Sequence, residues 1–510
     1  MSLRLACLCL VATALLAPAG AATAGTSCDE LARLPLTDTT LKATAVSGPF
    51  SAPVSPFDFN QSPVQTAKPF CRVEGIIAPA IRFELWLPPA DQWNGMLQGI
   101  GNGGMSGFLS YAPLAASLQA GYAAVTTDLG HQGGGIDGSF AIGNPRAVVD
   151  WGHRSTHEMT VKAKQIVQAH YGKRQERAYF TGCSGGGRQA LMEAQRYPED
   201  YDGILGGDPT ADFTHLTTGG RLWQMQVTQG DGYIPAAKVK TIADAVIATC
   251  DAIDGVRDGL LEDPRQCTFD PATIQCKSGD ADSCLTPPQA AALKRIYAGA
   301  RNSKGAPIFP GYSPGGELGP NGWSSYISGS GPGKGTQLAY AAGYLRGLVF
   351  ENPDYDPLGF DWDRDVPAMD AKLANIINAT NPDLTAFKAR GGKLIQYHGW
   401  SDPGVAPMSS VNYYEAVLQR MGGAPPVRDF YRLFMVPGMQ HCGGGPGPDR
   451  FDGLAALRQW VEQGKPPERI VAAHMTGDHI DRTRPLCPYP QKARWNGSTN
   501  IDEAASFNCE

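Results

Sequence analysis

The stretch RAYFTGCSGGGRQALMEAQRYPEDYDGILGGDP, residues 177–209, constrains the fold of this 510-residue chain more than any other. RAYFTG has the composition of a strand, GRQALMEAQRYPED has helical spacing, and GILGGDP reads as the next strand. Between the first strand and the helix, Gly182-Cys183-Ser184-Gly185-Gly186 leaves room only for a tight turn with a serine at its apex. A strand that turns sharply into a helix and then a second strand calls for a parallel sheet flanked by helices. The same rhythm surrounds it. RFELWLPP, QWNGMLQGIGNGGMSG and GYAAVTTDLGH read as strands running into loops, and residues 155–171 as a helix ending at Gly172. Late in the chain GGKLIQYHGWSD, SSVNYYEAVLQRMGG, YRLFMVPGMQHC and RFDGLAALRQWVEQG repeat strand, helix, strand, helix. Between about 211 and 382 the rhythm fails, in a segment with four cysteines and the glycine-rich run GYSPGGELGPNGWSSYISGSGPGKG. The expectation is an α/β core of residues 25–210 and 383–510, with residues 211–382 inserted as a lid domain.

Gly-x-Ser-x-Gly between a strand and a helix is the context required of the nucleophile elbow of an α/β-hydrolase. Small residues must flank the serine there, and the amide of Gly185 can face an oxyanion. A P-loop does not fit, because no Gly-Lys-Ser/Thr follows, and a dinucleotide fingerprint lacks its spaced acidic partner. A serine nucleophile needs a base, and the base an orienting carboxylate, in the chain order Ser, Asp/Glu, His. Asp402, in the loop after the strand of Tyr397-His398-Gly399-Trp400-Ser401-Asp402, and His441, in Pro437-Gly438-Met439-Gln440-His441-Cys442, supply that order. His398 is a rival base but precedes the acid, and His131 is expected to brace a loop near the site. A second oxyanion donor is expected from Gly101-Asn102-Gly103-Gly104, with Gly104 the first choice and Gly103 the second.

The first residues, MSLRLACLCLVATALLAPAGAATAG, read as a secretory signal peptide over residues 1–24. The apolar run is too short for a membrane span, and no longer one follows. Without Arg4 the chain carries a net charge of about −7 and no basic patch, so neither nucleic acid nor a membrane is expected as a partner. Of 12 cysteines, Cys7 and Cys9 leave with the leader. Ten remain, an even number, which reads as five disulfides formed in a secreted or periplasmic setting. Two of the ten adjoin the proposed nucleophile and base. If Ser184 and His441 meet, Cys183 and Cys442 are brought within reach of one another, and a bond between them would hold base against nucleophile.

The motifs Gly-Cys-Ser-Gly-Gly, His-Gly-Trp-Ser-Asp and Pro-Gly-Met-Gln-His-Cys, with Gly-Asn-Gly-Gly and the late Arg-Pro-Leu-Cys-Pro-Tyr-Pro, resemble the tannase and feruloyl esterase family over most of the chain. The resemblance implies an α/β-hydrolase core with a large lid, and Ser184, Asp402 and His441 as a triad tied by Cys183–Cys442. It also implies the pairs Cys28–Cys71, Cys250–Cys267, Cys276–Cys284 and Cys487–Cys509. In the lid, the carboxylate-rich Cys250-Asp251-Ala252-Ile253-Asp254-Gly255-Val256-Arg257-Asp258-Gly259-Leu260 read alone fits helix caps and a turn as well as it fits a cation loop. The family carries a structural calcium at such a loop, which implies Asp251, Asp254, Asp258 and the carbonyls of Val256 and Leu260 as ligands. The implied activity is serine hydrolysis of a small aromatic ester of hydroxycinnamate or gallate type. The alternative within the family is a mono(2-hydroxyethyl) terephthalate hydrolase. Such an enzyme holds the free carboxylate with a lid arginine, and the corresponding stretch GKGTQLAYAAG, residues 333–343, offers Lys334 but no arginine.

Overall fold

The computed structural model describes residues 25–57, 63–319 and 322–510; the expected leader, residues 1–24, lies outside them. The centre is a nine-stranded sheet. Its strands are β1 (Thr39–Val46), β2 (Phe70–Ile77), β3 (Ile81–Leu87), β4 (Met96–Ile100), β5 (Ala123–Thr127), β6 (Arg177–Cys183), β7 (Gly203–Gly207), β8 (Lys393–Gly399) and β9 (Tyr431–Val436), in the order β1-β2-β3-β5-β4-β6-β7-β8-β9. The pairs β1–β2, β2–β3 and β3–β5 are antiparallel. From β5 to β9 all neighbours are parallel.

Helices cover both faces, as a parallel sheet requires. In chain order the longer ones are α1 (Tyr111–Gln119), α2 (Ser155–Tyr171), α3 (Gly185–Arg196), α4 (Ala236–Cys250), α5 (Pro287–Ala298), α6 (Thr336–Tyr344), α7 (Met408–Arg420) and α8 (Gly453–Gln463). The two-residue period of a strand sorts β6 between the faces. Ala178 and Phe180 pack on the side of α2, α3 and α7, with Met159, Leu191 and Tyr414. Tyr179 packs on the opposite side with Leu118, Leu457 and Trp460.

Residues 208–392 run between β7 and β8 and add no strand to this sheet. They hold α4, α5 and α6 and build two further apolar cores. One gathers Ile242, Leu293 and Trp323 and reaches Val405 and Ala406 of the sheet domain. The other joins Tyr344, Leu348 and Met369 to Trp151 and Phe213. Five disulfides pin the described residues: Cys28–Cys71, Cys183–Cys442, Cys250–Cys267, Cys276–Cys284 and Cys487–Cys509. No described helix is long and apolar enough to cross a membrane.

What positions the site is the alignment of strand ends. Cys183 lies beside Gly207 across β6–β7, Tyr397 beside Gly207 across β7–β8, and Gly399 beside Val436 across β8–β9. Four adjacent parallel strands therefore stop at one edge of the sheet. The loops that leave them carry Ser184, Asp208, Asp402 and His441, at the carboxyl edge where open α/β sheets form their sites.

Candidate active site

Ser184 caps α3 with φ 62° and ψ −117°, a backbone region that non-glycine residues rarely occupy. Its amide donates to Gly207 O (2.9 Å), and its carbonyl accepts from Arg188 N (3.0 Å) and Thr210 N (3.2 Å). A Cβ at Gly182 would sit 2.6 Å from the Gly186 carbonyl, so only glycine lets strand and helix approach this closely. The strained serine is over-determined by these contacts and presents Oγ at the top of the sheet.

His441 Nε2 accepts from Ser184 Oγ (2.8 Å), and His441 Nδ1 donates to Asp402 Oδ2 (2.7 Å), with the tautomer assigned from this network. The Asp402 carboxylate is fully buried, whereas the His441 side chain keeps 14% of its surface exposed. Asp402 Oδ1 accepts the amides of Gly404 (2.7 Å) and Val405 (2.9 Å). Burial alone would push its proton affinity up, but the charge of His441 and the hydrogen bonds from His398 and His441 overcome this and hold it well below the usual carboxylate range. For His441, burial opposes protonation, and the neighbouring Asp402 charge outweighs it, so its pKa lies above the ordinary histidine value of 6.5. The triad geometry is thus a serine aimed at a base that a permanently charged carboxylate orients.

His398, the rival base, sits behind the acid and makes no contact with the serine. Fully buried, it directs Nε2 toward Asp402 Oδ2 (3.2 Å) and Val405 O (3.1 Å), while Nδ1 accepts from Ser410 Oγ (2.6 Å). The expected role of His131 has a counterpart too. Its Nε2 donates to Met105 O (2.9 Å) and its ring stacks on Phe140, next to the glycine loop. That loop lies against the elbow: a Cβ at Gly185 would stand 3.0 Å from Gly104 N. Gly104, with φ 58°, turns in the left-handed region, and its amide and that of Gly185 have no hydrogen-bond acceptor among the described residues. Two adjacent free amides beside Ser184 Oγ can receive an oxyanion.

The Cys183–Cys442 bond spans 259 residues with its Cα atoms 6.0 Å apart. Behind it stands Asp208, which sequence reading passed over as the end of a strand. It is fully buried with φ 38°, and its carboxylate accepts from Gly399 N (2.9 Å) and Cys442 N (3.2 Å), joining β7, β8 and the histidine loop. Burial, countered by His398 and reinforced by Asp402, pushes its pKa up to about 6. Arg188 was passed over as well. Wholly buried one turn into α3, it donates to the carbonyls of Gly152 (2.7 Å), Ile377 (3.1 Å) and Trp151 (3.2 Å) and stacks on Trp151. An arginine four residues after the elbow was the one available signal; its partners lie too far along the chain for spacing to reveal.

The segment between β7 and β8 lies against the histidine side. The ring of Tyr326 and the imidazole of His441 both crowd Gly404, where a Cβ would come within 3.1 Å and 3.3 Å of them. Tyr312 lies behind, its hydroxyl directed at Gly404 O (3.4 Å). Residues 333–343 contain no arginine, but Tyr340 from that stretch carries one on its face. The Arg221 guanidinium, from a π-helical turn at Leu216–Leu222, lies 4.2 Å from the Tyr340 ring centroid.

In the expected cation loop, Asp251 Oδ1 accepts the amides of Asp258 (3.3 Å) and Gly259 (3.0 Å), Asp254 Oδ1 that of Val256 (3.0 Å), and Asp258 Oδ1 that of Leu260 (3.1 Å). Each aspartate thereby keeps its second oxygen. At Asp258 that oxygen is held by the Arg484 guanidinium. Burial, with the Asp258 charge adding to it, raises the proton affinity of Asp251 and Asp254. The free carboxylate oxygens of Asp251 and Asp254 are hard donors of the chemistry that a divalent cation takes.

A strained serine at a strand–helix elbow, followed along the sheet edge by an acid loop and a histidine loop, defines a serine hydrolase of the α/β type. The tannase and feruloyl esterase family model matches residues 64–510. An uncharacterised esterase of Xanthomonas campestris pv. campestris is 38% identical, over 96% of this chain and 92% of that protein. The mono(2-hydroxyethyl) terephthalate hydrolase of Piscinibacter sakaiensis is 35% identical, over 86% and 84%. Feruloyl esterase B from Aspergillus oryzae superposes with a TM-score of 0.86 at 27% identity, over 95% of this chain and all of that one. The chain belongs to the tannase and feruloyl esterase family and is a carboxylic ester hydrolase.

Proposed function

We propose that this protein is an exported serine esterase acting on small aromatic esters of hydroxycinnamate or gallate type through an acyl-enzyme. The observation that carries the reading is the Ser184–His441–Asp402 hydrogen-bonded line at the carboxyl edge of the sheet. Ser184 Oγ attacks the ester carbonyl as its proton passes to His441 Nε2. Asp402 keeps the imidazole in the receptive tautomer and stabilises the imidazolium. The carbonyl oxygen, now negative, is received by the amides of Gly185 and Gly104. His441 returns the proton to the leaving alcohol, the tetrahedral adduct collapses to an acyl-serine, and a water activated by the same histidine releases the acid. Tyr326, half-buried beside this line where it shares Gly404 with His441, offers ring surface suited to an aromatic acyl group. Methyl ferulate, methyl gallate and mono(2-hydroxyethyl) terephthalate, assayed against an aliphatic methyl ester, test the substrate class. At least one aromatic ester should have the higher kcat/KM by about tenfold or more; turnover of none of the three removes the aromatic reading.

Export rests on the leader-like first residues and on five disulfides, which persist in oxidising compartments. Calcium is proposed for the loop of Asp251, Asp254, Asp258 and the Val256 and Leu260 carbonyls. There it would brace the end of α4 against the C-terminal segment, where Val256 packs with Cys487, Ala493 and Phe507. The loop lies in the lid and contributes nothing to the triad, so its role is structural. Chelation with EDTA is expected to lower the melting temperature by several degrees, and added calcium to restore it more fully than magnesium. A melting temperature indifferent to both would remove the ion.

A further inference from the structure

Two serine–histidine pairs converge on one carboxylate oxygen. From the exposed side, Ser184 Oγ donates to His441 Nε2, and His441 Nδ1 donates to Asp402 Oδ2. From the core side, Ser410 Oγ lies 2.6 Å from His398 Nδ1, and His398 Nε2 lies 3.2 Å from the same Asp402 Oδ2. The second pair is sealed from solvent: His398, on β8, and Ser410, in the first turn of α7, are both buried. What lies behind the pair fixes the direction of its hydrogen bonds. Tyr431, the first residue of β9, gives its hydroxyl proton to Gln396 Oε1, which can only accept. The amide is thereby set so that Gln396 Nε2 donates to Ser410 Oγ (2.7 Å). The Ser410 proton then has His398 Nδ1 as its one acceptor among the described residues, which leaves the ring proton on Nε2. That proton is shared between Val405 O (3.1 Å) and Asp402 Oδ2. Val405 in turn gives its amide to Asp402 Oδ1 (2.9 Å). His398 therefore holds the acid at its carboxylate and at the backbone that cradles it.

We propose that His398 is a positioning residue of the triad, which anchors the Asp402 oxygen on which His441 turns. The inference rests on the ester-hydrolase reading of Ser184, Asp402 and His441. A buried network in which every member is satisfied rigidifies the group at its end. A carboxylate free to rotate would carry His441 with it, and a displacement of about 1 Å at the serine is costly. The same donor draws on charge that His441 also uses. Without it more of that charge falls to the imidazole, and the base should keep its proton to higher pH. Burial and Arg221 lower the proton affinity of His441, and Asp402 and Asp208 raise it. Asp208, at the end of β7, also lies 3.7 Å from His398 Nε2. Tyr312 and Tyr326 face Asp402 from the segment between β7 and β8. All of these groups stay in place when His398 alone is changed.

Two amides of different reach test the proposal. His398→Asn keeps an acceptor for Ser410 but is too short to reach Asp402, whereas His398→Gln can set its amide nitrogen where Nε2 stood. With p-nitrophenyl acetate, His398→Asn should lose about 10- to 30-fold in kcat, with KM within about twofold and the acidic limb of kcat/KM moved to higher pH. His398→Gln should recover most of the kcat and return the limb to its position in the unaltered protein. Unaltered kcat and limb in folded His398→Asn overturn the proposal. Equal losses in the two variants with the limb unmoved also overturn it, and mark His398 as core packing alone. If His398→Asn does not fold, His398→Gln decides: a raised limb or a loss above about tenfold in folded protein overturns the proposal, and a smaller loss with the limb unmoved supports it. Turnover of p-nitrophenyl acetate by the unaltered protein, and its loss in Ser184→Ala, judge the ester-hydrolase reading separately, because His398 is judged by ratios between folded proteins that turn over the ester.

Discussion

Ser184→Ala should lower kcat for an aromatic ester by ~10^6-fold while leaving the melting temperature nearly unchanged. The serine side chain hydrogen-bonds to His441 alone among the described residues, so its loss removes chemistry and little packing. His441→Ala should cost about as much, and the double variant little more, because the two groups act as one unit. In the unaltered enzyme the base works only when neutral. The Asp402 charge raises the pKa of His441, so the imidazole stays protonated to higher pH than usual, and kcat/KM should fall on acidification through a midpoint above 6.5. Asp402 remains charged across that range and adds no second limb. A fluorophosphonate should label residue 184 in the parent protein and nothing in Ser184→Ala, as read by mass spectrometry. Undiminished hydrolysis by the alanine variant would remove Ser184 from the mechanism.

Cys183→Ala combined with Cys442→Ala should reduce kcat by about 10- to 100-fold in protein that remains folded at 25 °C. The bond closes a span of 259 residues, and chain entropy alone assigns such a closure roughly 5 kcal/mol. Stability is only part of its effect. Cys183 and Cys442 are the direct neighbours of nucleophile and base, so the bond limits how far His441 can move from Ser184 Oγ. Displacement of about 1 Å at this contact is enough for a hundredfold loss. Asp208, which holds the Cys442 amide, should preserve the loop path in part, and for that reason the expected loss is smaller than for removing the base. The measurement is kcat on double-variant protein shown folded by circular dichroism. Full activity in that protein would show the bond to be a staple for stability alone.

The α/β rhythm of this chain was legible because strands and helices repeat at their own periods and tight turns demand small residues. Residues 177–209 carried the elbow, its strand and its helix in one uninterrupted stretch, and the helix ending at Gly172 was readable from spacing. Cysteine parity and the Cys-Ser and His-Cys steps pointed to a bond across 259 residues before any fold was known. The order Ser, Asp, His separated His441 from His398, and the structure supplies the reason: His398 lies on the far side of Asp402, braced by Ser410 and Val405. The glycine run 101–104 was expected to face the elbow, with Gly104 ranked ahead of Gly103, and in the structure Gly104 lies against Gly185.

The sequence by itself pointed to the α/β architecture, the serine elbow and the histidine and aspartate that line up with it, because these follow from local period, turn chemistry and chain order. Tertiary structure alone decided which charges are answered and which are left open. Asp208 reads as an ordinary strand end until the histidine loop settles on it. Asp258 reads as one of three equivalent aspartates until Arg484, 226 residues away, takes one of its oxygens. Arg221 reads as one basic residue among many until packing buries it on Tyr340 without a partner. The worth of a charge is set by its desolvation and by neighbours brought from distant parts of the chain, and neither is written in local spacing.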